Sequence, residues 1–309
     1  MIEKISNGVN IEFLKKYSLQ VSIVIIALVF ASAWIYTTEL KDKMQQKTNI
    51  AVNQNGISTS ELEESVLPSK GVILPVIWGN LGKELISAGV IDETKFKAIY
   101  EQRGAFSDEY KNLLLAENNG QLKITRDNAG YILNLFWALG LANKNPILEM
   151  GEMMNPAYGG AGNFASTGGW SLAKGNAMDH YSMHKFFILT PEQQILVEKV
   201  SKGIYRPCCG NSTHFPDCNH GMAMLGLLEL MASQGVSEED MWKTALIVNS
   251  YWFPDTYLTI ATYMKEKGVD WKDVNPQEML GIDYSSAQGY SRIAAQVVLP
   301  KQQQNGCGI

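Results

Sequence analysis

An apolar stretch without a single charged residue covers residues 17–38, and its centre reads VSIVIIALVFASAW. At about 1.5 Å per helical residue, such a stretch can cross a bilayer core of about 30 Å. Trp34 and Tyr36 lie near one end, where amphipathic aromatic side chains favour the membrane interface. The pattern predicts one transmembrane anchor over 17–38, preceded by a short N-terminal segment over 1–16.

A cleaved signal peptide is the alternative interpretation of the same stretch. Ala31, Ser32 and Ala33 form the small-x-small pattern that precedes a cleavage site, although the apolar run continues beyond it. Both interpretations place the C-terminal body outside the cytoplasm, either anchored in the membrane or secreted after cleavage near Ala33. The polar residues 39–58, rich in Lys, Gln and Asn, predict a stalk between membrane and body.

Residues 59–309 carry apolar side chains mainly at helical spacing, with sparse strand signals, and predict a mostly α body of several helices. Between Thr125 and Leu141, for example, the apolar positions recur on one face of a helix. Another helix is predicted over Trp78–Ala88, because Gly89 provides a suitable end.

Capping residues mark the beginnings of three further helices. Thr190 and Gln193 predict a capping box, with Pro191 at the first helical position. Asn219 and Ser237 are the predicted N-caps of the two helices that follow.

A glycine-rich segment interrupts the helical pattern over residues 151–176 and contains seven glycines. It is not a phosphate-binding loop, because Lys174 is followed by Gly175 rather than by Ser or Thr. Two interpretations remain open: a long surface loop, or a loop packed over a functional site. A subdivision of the body within 145–176 is compatible with both.

The formal net charge is −5, and no long basic run occurs in the sequence. Nucleic acid is therefore not an expected partner, because binding it requires a cationic surface. The sequence also lacks a nucleophile elbow, a kinase motif set and a paired-carboxylate signature, so whether the protein is an enzyme stays open.

The most distinctive chemistry lies in YRPCCGNSTHFPDCNHG, residues 205–221, which holds three of the four cysteines and two of the four histidines. The preceding HYSMH adds another histidine pair, so that a Cys/His site is predicted over 180–220. The candidate metal ligands are Cys209, Cys218, His220, Cys208, His214, His180 and His184. Thiolate, imidazole and the nearby methionines suit copper first and zinc second, although the spacing matches no zinc finger.

A helix would place His180 and His184, four residues apart, on one face as a metal-ligand pair. Cys218 and His220 lie at a predicted helix N-terminus, whose partial positive charge favours thiolate and neutral imidazole. These two residues and Cys209 form the expected nucleus of the site. Asp217 is expected either to orient a ligating histidine or to cap the helix.

The sequence therefore favours a membrane-anchored, extracytoplasmic protein that handles a metal or carries out redox chemistry at it. One alternative is a structural or interaction module stapled by disulfides, for example Cys208 or Cys209 with Cys218 and the other with Cys307. A third is a thiol oxidoreductase, although the chain has no CxxC motif. The membrane and a metal ion are the expected partners, and a protein partner is left open.

Overall fold

The computed structural model describes residues 59–104 and 106–297. The α-helices and strands follow in the order α1 Thr59–Val66, β1 Val72–Gly79, α2 Leu81–Ser87, α3 Glu93–Glu101, α4 Asp108–Leu115, β2 Asn119–Ile124, α5 Ala129–Ala142, α6 Pro146–Met150, α7 Pro191–Gly203, α8 Asn219–Ser233, α9 Glu238–Trp252, α10 Pro254–Glu266, α11 Pro276–Leu280, α12 Ile282–Ser285 and α13 Ala287–Ala294. Short 3₁₀ turns lie at Glu152–Met154, Pro156–Tyr158, Ala161–Asn163, Ala177–Asp179 and Trp271–Asp273. Helices dominate, which confirms the predicted mostly α class.

None of the helices within the described ranges is both long enough and apolar enough to cross a bilayer. The predicted anchor over 17–38 lies outside those ranges, together with the segment 1–16 and the stalk over 39–58. Cys307, one of the cysteines considered for a disulfide, is also outside them.

The capping box at the start of α7 is confirmed: the Gln193 amide donates to Thr190 Oγ1 at 3.2 Å, and the Thr190 amide donates to Gln193 Oε1 at 2.8 Å. Ser237 caps α9 as predicted. The N-cap of α8 is Cys218 rather than the predicted Asn219. Asn219 Oδ1 accepts from the amide of the next residue, whereas Cys218 has extended backbone angles and its sulfur faces the first helical turn.

The predicted helix over Trp78–Ala88 is wrong at its beginning, because those first residues belong to β1 and α2 begins at Leu81. The antiparallel register between β1 and β2 runs from Val72 opposite Ile124 to Gly79 opposite Asn119. It is irregular between Ile73 and Ile77, an interval that contains Pro75, which has no amide hydrogen to donate. Trp78 of this strand is buried, and since a helix and a strand can both bury a tryptophan, its apolar character did not distinguish the two.

A close backbone approach joins α5 and α8. A Cβ added at Gly140 would lie 2.1 Å from the Met222 carbonyl oxygen, and one added at Gly226 would lie 2.5 Å from that of Phe136. Only glycine fits at these two positions, so the two helices cross with their backbones in contact. This contact fixes α8, the helix whose first residues lie beside the cysteines.

The buried apolar side chains of the described helices and of β1 and β2 belong to one continuous hydrophobic cluster. Met222 and Met224, which lie close in sequence to the predicted metal ligands, are fully buried in it. Their role is therefore core packing.

Candidate metal centre

The loop between α7 and α8 brings the cysteines together through backbone contacts at its base. The Thr213 amide donates to the Ile204 carbonyl at 2.8 Å, and Tyr205 and Ser212 form an antiparallel bridge. Cys208 and Cys209 therefore lie near the tip of a hairpin-like loop. Its far side returns to Cys218 at the beginning of α8.

The sulfur atoms of Cys208, Cys209 and Cys218, which we call the thiol cluster, all lie within 4.8 Å of one another. The Cys208 and Cys218 sulfurs are 3.6 Å apart. Sulfur ligands at about 2.3 Å from one metal ion are separated by about 3.8–4.0 Å in tetrahedral or trigonal geometry. The thiol cluster thus has nearly the spacing of three ligands of one ion.

Cys218 is the most firmly held of the three cysteines. The Gly221 amide donates to its sulfur at 3.4 Å, in the first turn of α8. Hydrogen bonds from the Cys208 and Cys209 thiols, together with His220 and Arg206, lower the pKa of Cys218. The same hydrogen-bonded contacts raise the pKa of Cys208. One thiolate shared by two thiols is therefore centred on Cys218.

Arg206, which is not among the residues predicted from the sequence, lies fully buried beside the thiol cluster. Its Nη2 donates to Asp217 Oδ1 at 2.7 Å and to the Phe215 carbonyl at 3.3 Å. Its Nε and Nη1 are buried without a hydrogen-bond partner among the residues that the structure describes. Burial opposes its charge, but the charges of Cys218, Cys209 and Asp217 outweigh burial and raise the pKa of Arg206.

Gly221 makes room for this arginine, because a Cβ at that position would lie 2.7 Å from Arg206 Cζ. Asp217 fixes the arginine from the other side, and its second oxygen accepts from Asn211 Nδ2 at 2.8 Å. Asp217 therefore neither caps α8 nor orients a ligating histidine, the two roles expected from the sequence. It supports a buried cation next to the sulfurs.

His220 is the second residue of α8, with its ring centre 4.3 Å from that of Phe253. It is close enough to Cys218 to lower the pKa of that thiol. Its Nδ1 is buried and has no hydrogen-bond partner within the described part of the chain. Neither ring nitrogen belongs to the group of donor atoms that meet within 4.8 Å. His220 is therefore a neighbour of the thiol cluster.

His214, in the middle of the loop, lies beside Glu152 of the glycine-rich segment. Its Nδ1 lies 3.9 Å from Glu152 Oε1, and burial lowers its pKa. His214 is not part of the donor group formed by the sulfurs.

His180 and His184 contact each other, but in a turn rather than on the predicted helix. His180 Nε2 lies 3.0 Å from the Lys174 carbonyl oxygen and must donate to it, since a carbonyl only accepts. In neutral His180 the Nδ1 is then an acceptor for His184 Nε2, at 3.0 Å. Ser182, between them, has a φ of 55°, which breaks helical geometry and turns the chain.

The glycine-rich segment packs on the cysteine loop. The Ser166 amide donates to the Asp217 carbonyl at 3.2 Å, and the ring of Phe164 meets that of Phe215 edge-on at 5.4 Å. These contacts hold the end of the loop that leads into Cys218.

Comparison with known protein families, with curated proteins and with solved structures found no match for this chain.

Proposed function

We propose that Cys208, Cys209 and Cys218 bind one soft metal ion, with Cu(I) as first choice and Zn²⁺ as second. The observation that carries the proposal is the meeting of three sulfur atoms within 4.8 Å. Soft thiolate ligands favour Cu(I) and Zn²⁺ over hard cations such as Mg²⁺ or Ca²⁺.

The number of donors favours Cu(I). Within the described residues, the donor group contains three sulfurs and no histidine or carboxylate atom at the same spacing. Both carboxylate oxygens of Asp217 are engaged, one by Arg206 and the other by Asn211. A structural zinc site closes with four protein ligands, whereas three sulfurs suffice for Cu(I). Zinc would need a water molecule or an external ligand in the fourth position.

The electrostatics of the site support a bound cation. Three thiolates and the Asp217 carboxylate would place four negative charges around the single positive charge of Arg206. A bound metal cation would offset part of this negative charge, and Arg206 would offset a further unit of it within the partly buried site. His220, beside Cys218, would act on the metal through that sulfur.

The biological setting that we propose is metal handling at a membrane. The stretch over 17–38 would anchor the chain, with the body outside the cytoplasm, and the exposed Cys208 would be the point at which the ion enters or leaves.

A metal titration of the reduced full chain tests the proposal. We expect one Cu(I) per chain, in competition with a chromophoric chelator and under anaerobic conditions, and confirmed by elemental analysis. Cys218→Ser should lose this stoichiometric binding. Cys307→Ser is the matched control, because it removes a thiol outside residues 205–221. Equal metal content in the wild type and in a variant with all three cluster cysteines replaced by serine would refute the assignment.

A further inference from the structure

The spacing within the thiol cluster is also close to that needed for a covalent reaction between two of its members. The Cys208 and Cys218 sulfurs lie 3.6 Å apart. A disulfide requires about 2.05 Å, so the sulfurs must approach by about 1.5 Å. Cys208 is exposed near a loop tip, whereas Cys218 is held by the Gly221 amide, so that Cys208 can supply the movement.

The two other pairings within the cluster are disfavoured. Cys208 and Cys209 are adjacent, and neighbouring Cα atoms lie about 3.8 Å apart, below the usual Cα separation of a disulfide of about 4.4–6.8 Å. The Cys209 sulfur instead contacts Asp217 Oδ1 and the Asn211 carbonyl oxygen, each at 3.9 Å. Pairing it with Cys218 would break these contacts.

We infer that Cys208 and Cys218 form a redox-active dithiol that exchanges with low-molecular-weight disulfides, and that its oxidation releases the metal ion. The release depends on the proposed function, whereas the exchange does not. Exposure decides the order of the steps, because an external disulfide can reach Cys208 directly.

In the first step, Cys208 passes its proton to the Cys218 thiolate, to which it is hydrogen-bonded, and the resulting Cys208 thiolate attacks the external disulfide RSSR. A bond forms between Cys208 and one SR group, the S–S bond of RSSR breaks, and the other half leaves as RS⁻. In the second step, Cys218 gives its proton to the released RS⁻, and the Cys218 thiolate attacks the Cys208 sulfur and displaces the remaining SR group as a thiolate. Two cysteine thiols are oxidised to one disulfide, and one external disulfide is reduced to two thiols.

Oxidation and metal binding compete because they use the same sulfurs. The Cys208–Cys218 disulfide removes two of the three donors and leaves Cys209 alone. An ion held by the thiol cluster would in turn block the first step. The site would therefore retain its ion under reducing conditions and release it under oxidising ones.

The test begins with metal-free, reduced full chain incubated with oxidised glutathione. After alkylation of free thiols, peptide mass spectrometry should find Cys208 linked to Cys218 and Cys209 alkylated. The variant Cys218→Ser should stop at a glutathione adduct on Cys208, and Cys209→Ser should still form the internal disulfide. The inference is overturned if the wild type keeps all three thiols free or if its disulfide contains Cys209.

A second measurement separates this inference from the proposed function. Metal-loaded protein treated with the same disulfide should lose its ion in proportion to the disulfide formed. Stoichiometric metal binding without a Cys208–Cys218 disulfide in the metal-free chain would overturn the inference and leave the metal site standing. Disulfide formation in a chain that binds no metal would confirm the exchange and refute both the metal site and the release.

Discussion

Glu229 lies in the middle of α8 and is fully buried. Its Oε2 accepts from Asn143 Nδ2 at 2.9 Å, while Oε1 has no hydrogen-bond partner in the part of the chain described by the structure. Burial raises the pKa of this carboxyl from 4.5 to about 8, and the nearby amide side chains of Asn143 and Asn145 only partly oppose the effect. At neutral pH the folded protein therefore holds Glu229 as a neutral acid.

This raised pKa makes folding stability depend on pH with a definite sign. Below pH 4.5 the carboxyl is protonated in both the folded and the unfolded chain, and no stability is lost. Between pH 4.5 and about 8 the folded chain keeps a proton that the unfolded chain has released. The free energy of unfolding then falls by about 1.4 kcal/mol per pH unit. The loss reaches about 3 kcal/mol at pH 7 and about 5 kcal/mol above pH 8.

The variant Glu229→Gln removes this dependence, because an amide of the same shape has no proton to lose. Chemical denaturation of both proteins at about pH 5 and pH 8.5 should show the variant gaining about 4 kcal/mol relative to the wild type over this range. Other titrating groups, such as His184, are common to both proteins and cancel in the difference. Glu101→Gln, at an exposed position of α3, is the control and should change little. Parallel stability curves for wild type and Glu229→Gln would refute the reasoning.

Three further predictions concern the surroundings of the thiol cluster. Arg206→Met should lower the free energy of unfolding by about 3 kcal/mol, measured by urea denaturation, because it leaves a partly buried carboxylate and a thiolate without their cation. Gly221→Ala should destabilise the protein by about 1–3 kcal/mol in the same assay through collision with the guanidinium, whereas Gly130→Ala, where the added Cβ meets open space in α5, should be neutral or stabilising. His220→Ala should weaken Cu(I) affinity by about tenfold in a chelator competition, and His214→Ala should leave it unchanged, since only the former lies beside Cys218. Equal affinities of the two histidine variants would contradict the assigned positions.

Helix beginnings and the gathering of cysteines could be predicted from the sequence, because both depend on local signals. Thr190 and Gln193 bind each other's backbone amides, and this local interaction does not depend on the surrounding fold. The concentration of cysteines between Cys208 and Cys218 can be read directly from the sequence. The spacing of residues along the chain led to a wrong prediction where contacts between distant segments determine the local structure. The segment of His180 and His184 forms no helix, because its backbone bonds instead to residues at the end of α5.

The burial of Arg206 beside the cysteines could not be predicted from the sequence. An arginine before Pro-Cys-Cys is by itself an ordinary surface residue, and nothing in the spacing says that it is buried. Its burial depends on the space left by Gly221, fifteen positions later in the sequence, and on the carboxylate of Asp217. A basic residue inside a segment rich in cysteine was the available signal, because buried thiolates require a compensating cation.

The α8 helix joins the candidate site to the core through a single rigid element. Cys218 and Gly221 lie in or next to its first turn, and Gly226, which touches the backbone of α5, follows just over a turn later. A shift of the α5–α8 contact would therefore move the Cys218 sulfur relative to Cys208 and Cys209, which are carried by the loop. Metal binding between loop and helix would in turn hold the beginning of α8 in place. Ligands contributed by two elements in this way couple binding to folding, so the bound ion should raise the free energy of unfolding by an amount that grows with the logarithm of its affinity.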